Sequence, residues 1–179
     1  MAIEFDSSSP AYVKANATTV TTESFTPPLH SVVVAFAAVW TSGGSITNMT
    51  DSQGHTWTSI VNQYAMRAYY TVISSPTAAM TVTATAATNP GLGLDVYVLT
   101  GVNLSSVIGG SYTTWATSTD HRLSLTVSAI GSKIMYATVT GESITLTRVT
   151  PLDFLNSSTL TATNTGKLAV GAGNSTATG

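Results

Sequence analysis

Asp51 and His55 stand four residues apart around Gly54, close enough for a carboxylate and an imidazole to share a cation. The sequence Asp51-Ser-Gln-Gly54 favours a simpler reading. It is a hairpin turn in which Asp makes its usual side-chain-to-backbone hydrogen bonds. Asp120-His121-Arg122 reads the same way, as a polar entry to a strand. The chain has three histidines, and no two of them stand at the i, i+4 spacing of a helical metal pair. There is no Gly-x-Ser-x-Gly nucleophile elbow. Gly91-x-Gly93 precedes a strand pattern and not a helix, so it is no phosphate cradle. The eight acids are spread along the whole chain and suggest no catalytic pair. These residues point to no enzyme, no cofactor and no metal.

The aromatic residues leave a question open. Tyr64, Met66, Ala68, Tyr70 and Val72 alternate on one face of a strand pattern, and Trp40 closes an apolar run, so packing is their role. Trp57 and Trp115 stand among threonines near turns, and Tyr112 is close to Trp115. These three are the candidate binding residues, because exposed rings stack on the CH faces of sugars. Packing inside the domain or against a neighbouring subunit is the competing role.

The residues that carry these side chains belong to a β-rich pattern. Met80, Val82, Ala84 and Ala86 alternate with Thr81, Thr83 and Thr85. Leu123–Ser128, Ile144–Thr147 and Thr159–Thr163 repeat the period of two. Each reads as a strand with one dry and one wet face, with branched Thr suiting the pleat. Val32–Trp40, Leu94–Leu99 and Ile134–Val139 are nearly continuous apolar runs, expected to be buried on both faces. Turn signals separate the runs at Asp51–Gly54, Ser74–Pro76, Asn89–Gly91, Gly109–Gly110 and Gly131–Ser132, a spacing of about ten residues. The expected fold is an all-β, single antiparallel β-sandwich with little or no helix. It fills residues 1–170, and 171–179 form a small polar C-terminal tail.

Composition narrows the classes. Asp, Glu, Lys and Arg make up 8% of the 179 residues, and the formal net charge is -2. Ordinary soluble domains carry about 25% charged residues. Threonine (33) and serine (22) supply about 31% of the chain instead. Six scattered basic residues form no stripe for phosphates, so nucleic acid is an unlikely partner. With no cysteine, disulfide scaffolds and thiolate zinc sites are excluded. No apolar run approaches the ~20 residues of a membrane-spanning helix, and no basic region precedes an apolar run at the start. The expectation is a protein made in a reducing cytoplasm, without membrane insertion or an export signal. Five Asn-x-Ser/Thr triplets, at Asn16, Asn48, Asn103, Asn156 and Asn174, follow from the hydroxyl content and are not read as glycosylation sites.

The order of motifs resembles a known group. It runs from Met-Ala-Ile-Glu-Phe-Asp at the start to Pro27-Pro28 and the Val32–Trp40 strand. Ile46-Thr-Asn-Met-Thr-Asp-Ser-Gln-Gly-His-Thr-Trp-Thr58, the Tyr69-Tyr70 strand and Met80–Thr88 follow. Val96-Tyr-Val-Leu-Thr-Gly-Val102 closes a half that begins again at Leu123. In this order the chain is similar to small minor tail proteins of actinobacterial, mycobacteriophage-like siphophages, and its body resembles a jelly-roll-like β-sandwich. The Asp-Ser-x-Gly-x-x-Trp-Thr turn and the aromatic-x-x-x-Gly-Val strand end carry most of the likeness. The resemblance implies a structural virion protein, assembled in the host bacterial cytoplasm against other virion proteins and copies of itself. It brings no catalytic residues. A capsid decoration protein remains an alternative of the same fold. A carbohydrate-binding module for host cell-wall glycan, built on Trp57 and Trp115, is the alternative of a different class.

Overall fold

The computed structural model describes residues 2–39, 44–63, 65–87, 91–113, 131–140, 153–159 and 167–174. The described residues contain no helix. Nine strands build the first part: β1 (Glu4–Phe5), β2 (Val13–Ala15), β3 (Thr19–Thr21), β4 (Val32–Val39), β5 (Ile46–Asp51), β6 (Thr58–Gln63), β7 (Met66–Val72), β8 (Val82–Ala86) and β9 (Leu92–Thr100). Three more follow: β10 (Lys133–Thr140), β11 (Asp153–Thr159) and β12 (Lys167–Asn174).

The pairing is that of one long antiparallel ribbon wound on itself. β2 pairs with β9, β3 with β8 and β4 with β7, which leaves the β5–β6 connection at the tip of the ribbon. Winding then lays β4 beside β9 and β5 beside β8. This is a jelly-roll winding, and it produces two sheets. The larger has the order β1-β9-β4-β7-β6, with β2 beside β1 on the free edge of β9. The smaller has the order β3-β8-β5. β6 turns back on β7 and joins the larger sheet, so among the described residues the smaller one has three strands.

The two sheets form a sandwich because alternate residues of the central strands point into it. Val33, Ala35, Ala37 and Val39 of β4 meet Val82, Ala84 and Ala86 of β8 and Ile46 and Met49 of β5 in one core. The other parity of β4 is buried too. Val32, Val34, Phe36 and Ala38 pack with Leu168 and Val170 of β12, beneath a third antiparallel sheet ordered β10-β12-β11. The larger sheet is therefore the middle of three layers. That is why β4 is an unbroken apolar run with every residue buried. The N-terminus is tied to the third layer as well. Phe5 meets the Tyr97 ring edge-on at 5.6 Å and carries Lys133 Nζ 4.9 Å from its centroid.

Two expectations change. Ile134–Val139 is half-buried, with Met135, Ala137 and Val139 of β10 packed on the central sheet. The polar tail does not begin at Gly171. Gly171–Asn174 continue β12, the central strand of the third sheet, paired on both sides as far as Ala172. The alternating runs after Leu123, at Ile144 and at Leu160 lie outside the described residues.

Candidate functional site

Asp51 ends β5, and the six residues 52–57 form the connection at the ribbon tip. They do not make a hairpin: β5 belongs to the smaller sheet and β6 to the larger, so the chain crosses between layers here. The side-chain-to-backbone role expected of Asp51 does hold. Asp51 Oδ1 accepts from the Gln53 N–H at 2.8 Å and the His55 N–H at 3.4 Å. Its carboxylate then takes two side chains that the turn brings round. His55 Nδ1 lies 3.0 Å from Oδ1, and the Trp57 indole N–H donates to Oδ2 at 2.7 Å. The Asp51 side chain has no accessible surface, and that of His55 is 20% exposed. Burial pushes the Asp51 carboxyl upward, but the hydrogen bonds from His55, Trp57 and Gln53 outweigh it and hold the group below its usual range.

The same turn is tied to the smaller sheet. Ser52 and Thr81 exchange hydrogen bonds, Ser52 N–H to Thr81 O and Thr81 N–H to Ser52 Oγ, both at 3.0 Å. Gln53 Nε2 donates to Ala79 O at 3.0 Å. With donors on three sides of Asp51, a cation has no open approach to its oxygens. No group of three or more potential metal ligands occurs among the described residues.

Trp57 therefore sits differently from a sugar platform. It is half-buried against the sandwich core, with its polar edge committed to Asp51. Tyr112 is 55% exposed, on the loop that follows β9. In that loop Ser111 Oγ donates to Ile60 O on β6 at 3.4 Å. Trp115 and Asp120-His121-Arg122 lie outside the described residues.

A groove opens beside the turn. β7 runs to Val72, but β6 begins at Thr58, opposite Tyr70. Thr71 and Val72 thus face no strand on that side. The notch has a volume of about 480 Å³ and is walled by Gly54, His55 and Thr56. Thr58, Tyr70 and Ser74 complete its polar lining. Sequence reading passed over this feature because Tyr70 and Thr71 look like ordinary strand residues. The signal was the run Asp51-x-x-x-His55-x-Trp57, which places two ring donors where one carboxylate can gather them.

A second polar cluster is buried in the middle layer. Asp95 is 2% exposed on β9, and the Tyr97 hydroxyl donates to its Oδ2 at 2.8 Å. Burial and the Asp95 charge push both the Tyr97 and the Tyr12 hydroxyls well above their usual range. Comparison of the chain with protein-family models, with curated proteins and with solved structures finds no match.

Proposed function

We propose that the chain is a structural component of a bacteriophage virion, a minor tail protein that works by packing against its neighbours and not by catalysis. One observation carries the reading, the outer face of the smaller sheet. There Thr21, Thr83 and Thr50 lie abreast, and Thr19 lies abreast of Thr85 and Asn48. The Thr21 and Thr83 hydroxyls share a hydrogen bond of 2.8 Å. The face is an uncharged, hydroxyl-rich array, and among the described residues β3 and β5 pair with no strand on their outer sides. A neighbouring subunit covers such a face without stripping water from ions, which is the costly part of burying a polar surface. Open edges of this kind invite a strand from the next subunit.

The scarcity of charge supports the same reading. Of eight acids, Asp51 and Asp95 are spent inside the domain, which leaves the surface still less charged than the composition implies. The resemblance to minor tail proteins supplies the tail assignment. Mass spectrometry of purified particles, with heads and tails separated, tests it: the chain is expected in the tail fraction. Recovery with heads would make it a capsid decoration protein, and absence from particles would remove the virion role.

A further inference from the structure

We propose that the groove beside the ribbon tip binds a neutral, hydroxyl-rich ligand of sugar type, with His55 as its fixed acceptor. The inference does not depend on the virion reading. It starts from the Asp51–His55 pair. An ionised carboxylate only accepts hydrogen bonds, so the 3.0 Å contact requires the proton on His55 Nδ1. In the neutral ring Nε2 then holds the lone pair. Asp51 is itself held by Trp57 and by the turn amides, so the imidazole is oriented before any ligand arrives. The groove is thereby offered an imidazole edge that does not need to be organised on binding.

The rest of the lining matches one class of ligand. Thr56, Thr58, Ser74 and Tyr70 bring hydroxyls that both donate and accept, and none of the described lining residues is Asp, Glu, Lys or Arg. Tyr70, half-buried, adds an aromatic ring, and Val72 an apolar wall. Among the described lining residues an anionic ligand finds no Lys or Arg, and cations find the Asp51 oxygens closed off. A sugar ring suits both kinds of lining, presenting hydroxyls at its rim and CH groups on its faces. The volume of about 480 Å³ falls within the ~300–1,000 Å³ typical of small-ligand sites. The walls are preset by the register: β6 ends its pairing at Tyr70, and Asp51 pins the loop that faces the gap.

The test is an NMR titration of the full chain with four neutral disaccharides, namely cellobiose, maltose, lactose and diacetylchitobiose. Glucuronate serves as the charged comparison. Shifts confined to residues 54–58 and 70–74 with at least one neutral sugar, and weaker ones with glucuronate, are expected. His55→Phe keeps a ring and loses Nε2, and should weaken binding about tenfold, the equivalent of one lost hydrogen bond. Thr58→Val is an exposed, shape-conserving change that leaves the Asp51 cluster intact, and should weaken binding in the same direction. No shifts with any of the four sugars would overturn the proposal. So would shifts centred elsewhere, such as around Tyr112, or a response to glucuronate as strong as to the neutral sugars.

Discussion

Replacing Asp51 by Ala removes the acceptor of four hydrogen bonds at once. The cost can be assembled from what each donor does afterwards. The Trp57 indole N–H is half-buried against the core and loses a 2.7 Å charge-assisted bond, worth about 1–2 kcal/mol. His55 loses its anchor but keeps access to water through its exposed edge, about 0.5–1 kcal/mol. The Gln53 and His55 amides lie in a surface turn where water replaces the carboxylate, together about 0.5 kcal/mol. The expected loss is about 3 kcal/mol, a large part of a typical domain stability of 5–15 kcal/mol. With a urea slope near 2 kcal/mol per molar, the midpoint should fall by about 1.5 M. Circular dichroism is the readout, since indole fluorescence itself reports on Trp57.

Acid adds an independent check on the same variant. The native Asp51 carboxyl is held below its usual range, so the unfolded chain takes up its proton first as the pH falls. The stabilisation is complete above about pH 4 and is lost as the pH drops through the depressed native value. Asp51→Asn, which cannot ionise, should be less stable than the parent at neutral pH, with a gap that closes in acid. A midpoint shift below about 0.5 M for Asp51→Ala, or a gap that is constant with pH, would refute the claim that this carboxylate holds the ribbon tip.

Other changes probe the rest of the frame. Ile46→Ala opens space at a fully buried position and should cost about 2–5 kcal/mol in urea unfolding, whereas Thr83→Ala on the outer sheet face should cost under about 1 kcal/mol. Gly101→Ala should cost more than about 1 kcal/mol in the same assay, because Gly101 has a φ of +74° and an added Cβ would meet the Ala2 carbonyl oxygen. The native Tyr12 and Tyr97 hydroxyls are pushed upward, so their stabilising effect is present below about pH 10 and is lost as the pH rises beyond it. Ultraviolet titration should show these two ionising together with alkaline unfolding, and Tyr97→Phe should flatten the alkaline loss.

The strands were legible where one physical signal acted alone. Met80–Ala86 alternates because one side faces the core and the other faces water, and the burial follows residue by residue. Val32–Val39 is apolar throughout because it is covered on both sides. What the pattern does not encode is which layer covers it. Nothing in Leu168 or Val170 names Val34 as a neighbour; only the packed third sheet does. The ribbon tip was half legible for the same reason. Asp51-Ser-Gln-Gly54 signals a turn through local hydrogen bonds, and the turn is there. Whether the next strand returns along β5 or crosses to the other sheet depends on β7, whose pairing with β6 competes for it. Trp57 looked exposed among threonines, but its partner was Asp51, six residues back, a contact that exists only once the loop has closed.

The placing of the two buried acids connects fold to surface. A carboxylate inside a sandwich is costly unless donors surround it. Asp51 has its donors in the turn that joins the two sheets. Asp95 receives the Tyr97 hydroxyl within the middle layer, where the third sheet closes over it. Asp51 stands where the chain crosses between the two sheets, while Asp95 is bonded within its own strand, to the hydroxyl two residues on. Charge kept inside is charge withdrawn from the surface. The outer face of the smaller sheet is left with Thr19, Thr21, Thr50, Thr83 and Thr85, groups that bond equally well to water or to a neighbouring chain. A domain that spends two of its acids inside and presents a hydroxyl face outside can lie against a neighbour there with little desolvation penalty, the property on which the proposed packing role depends.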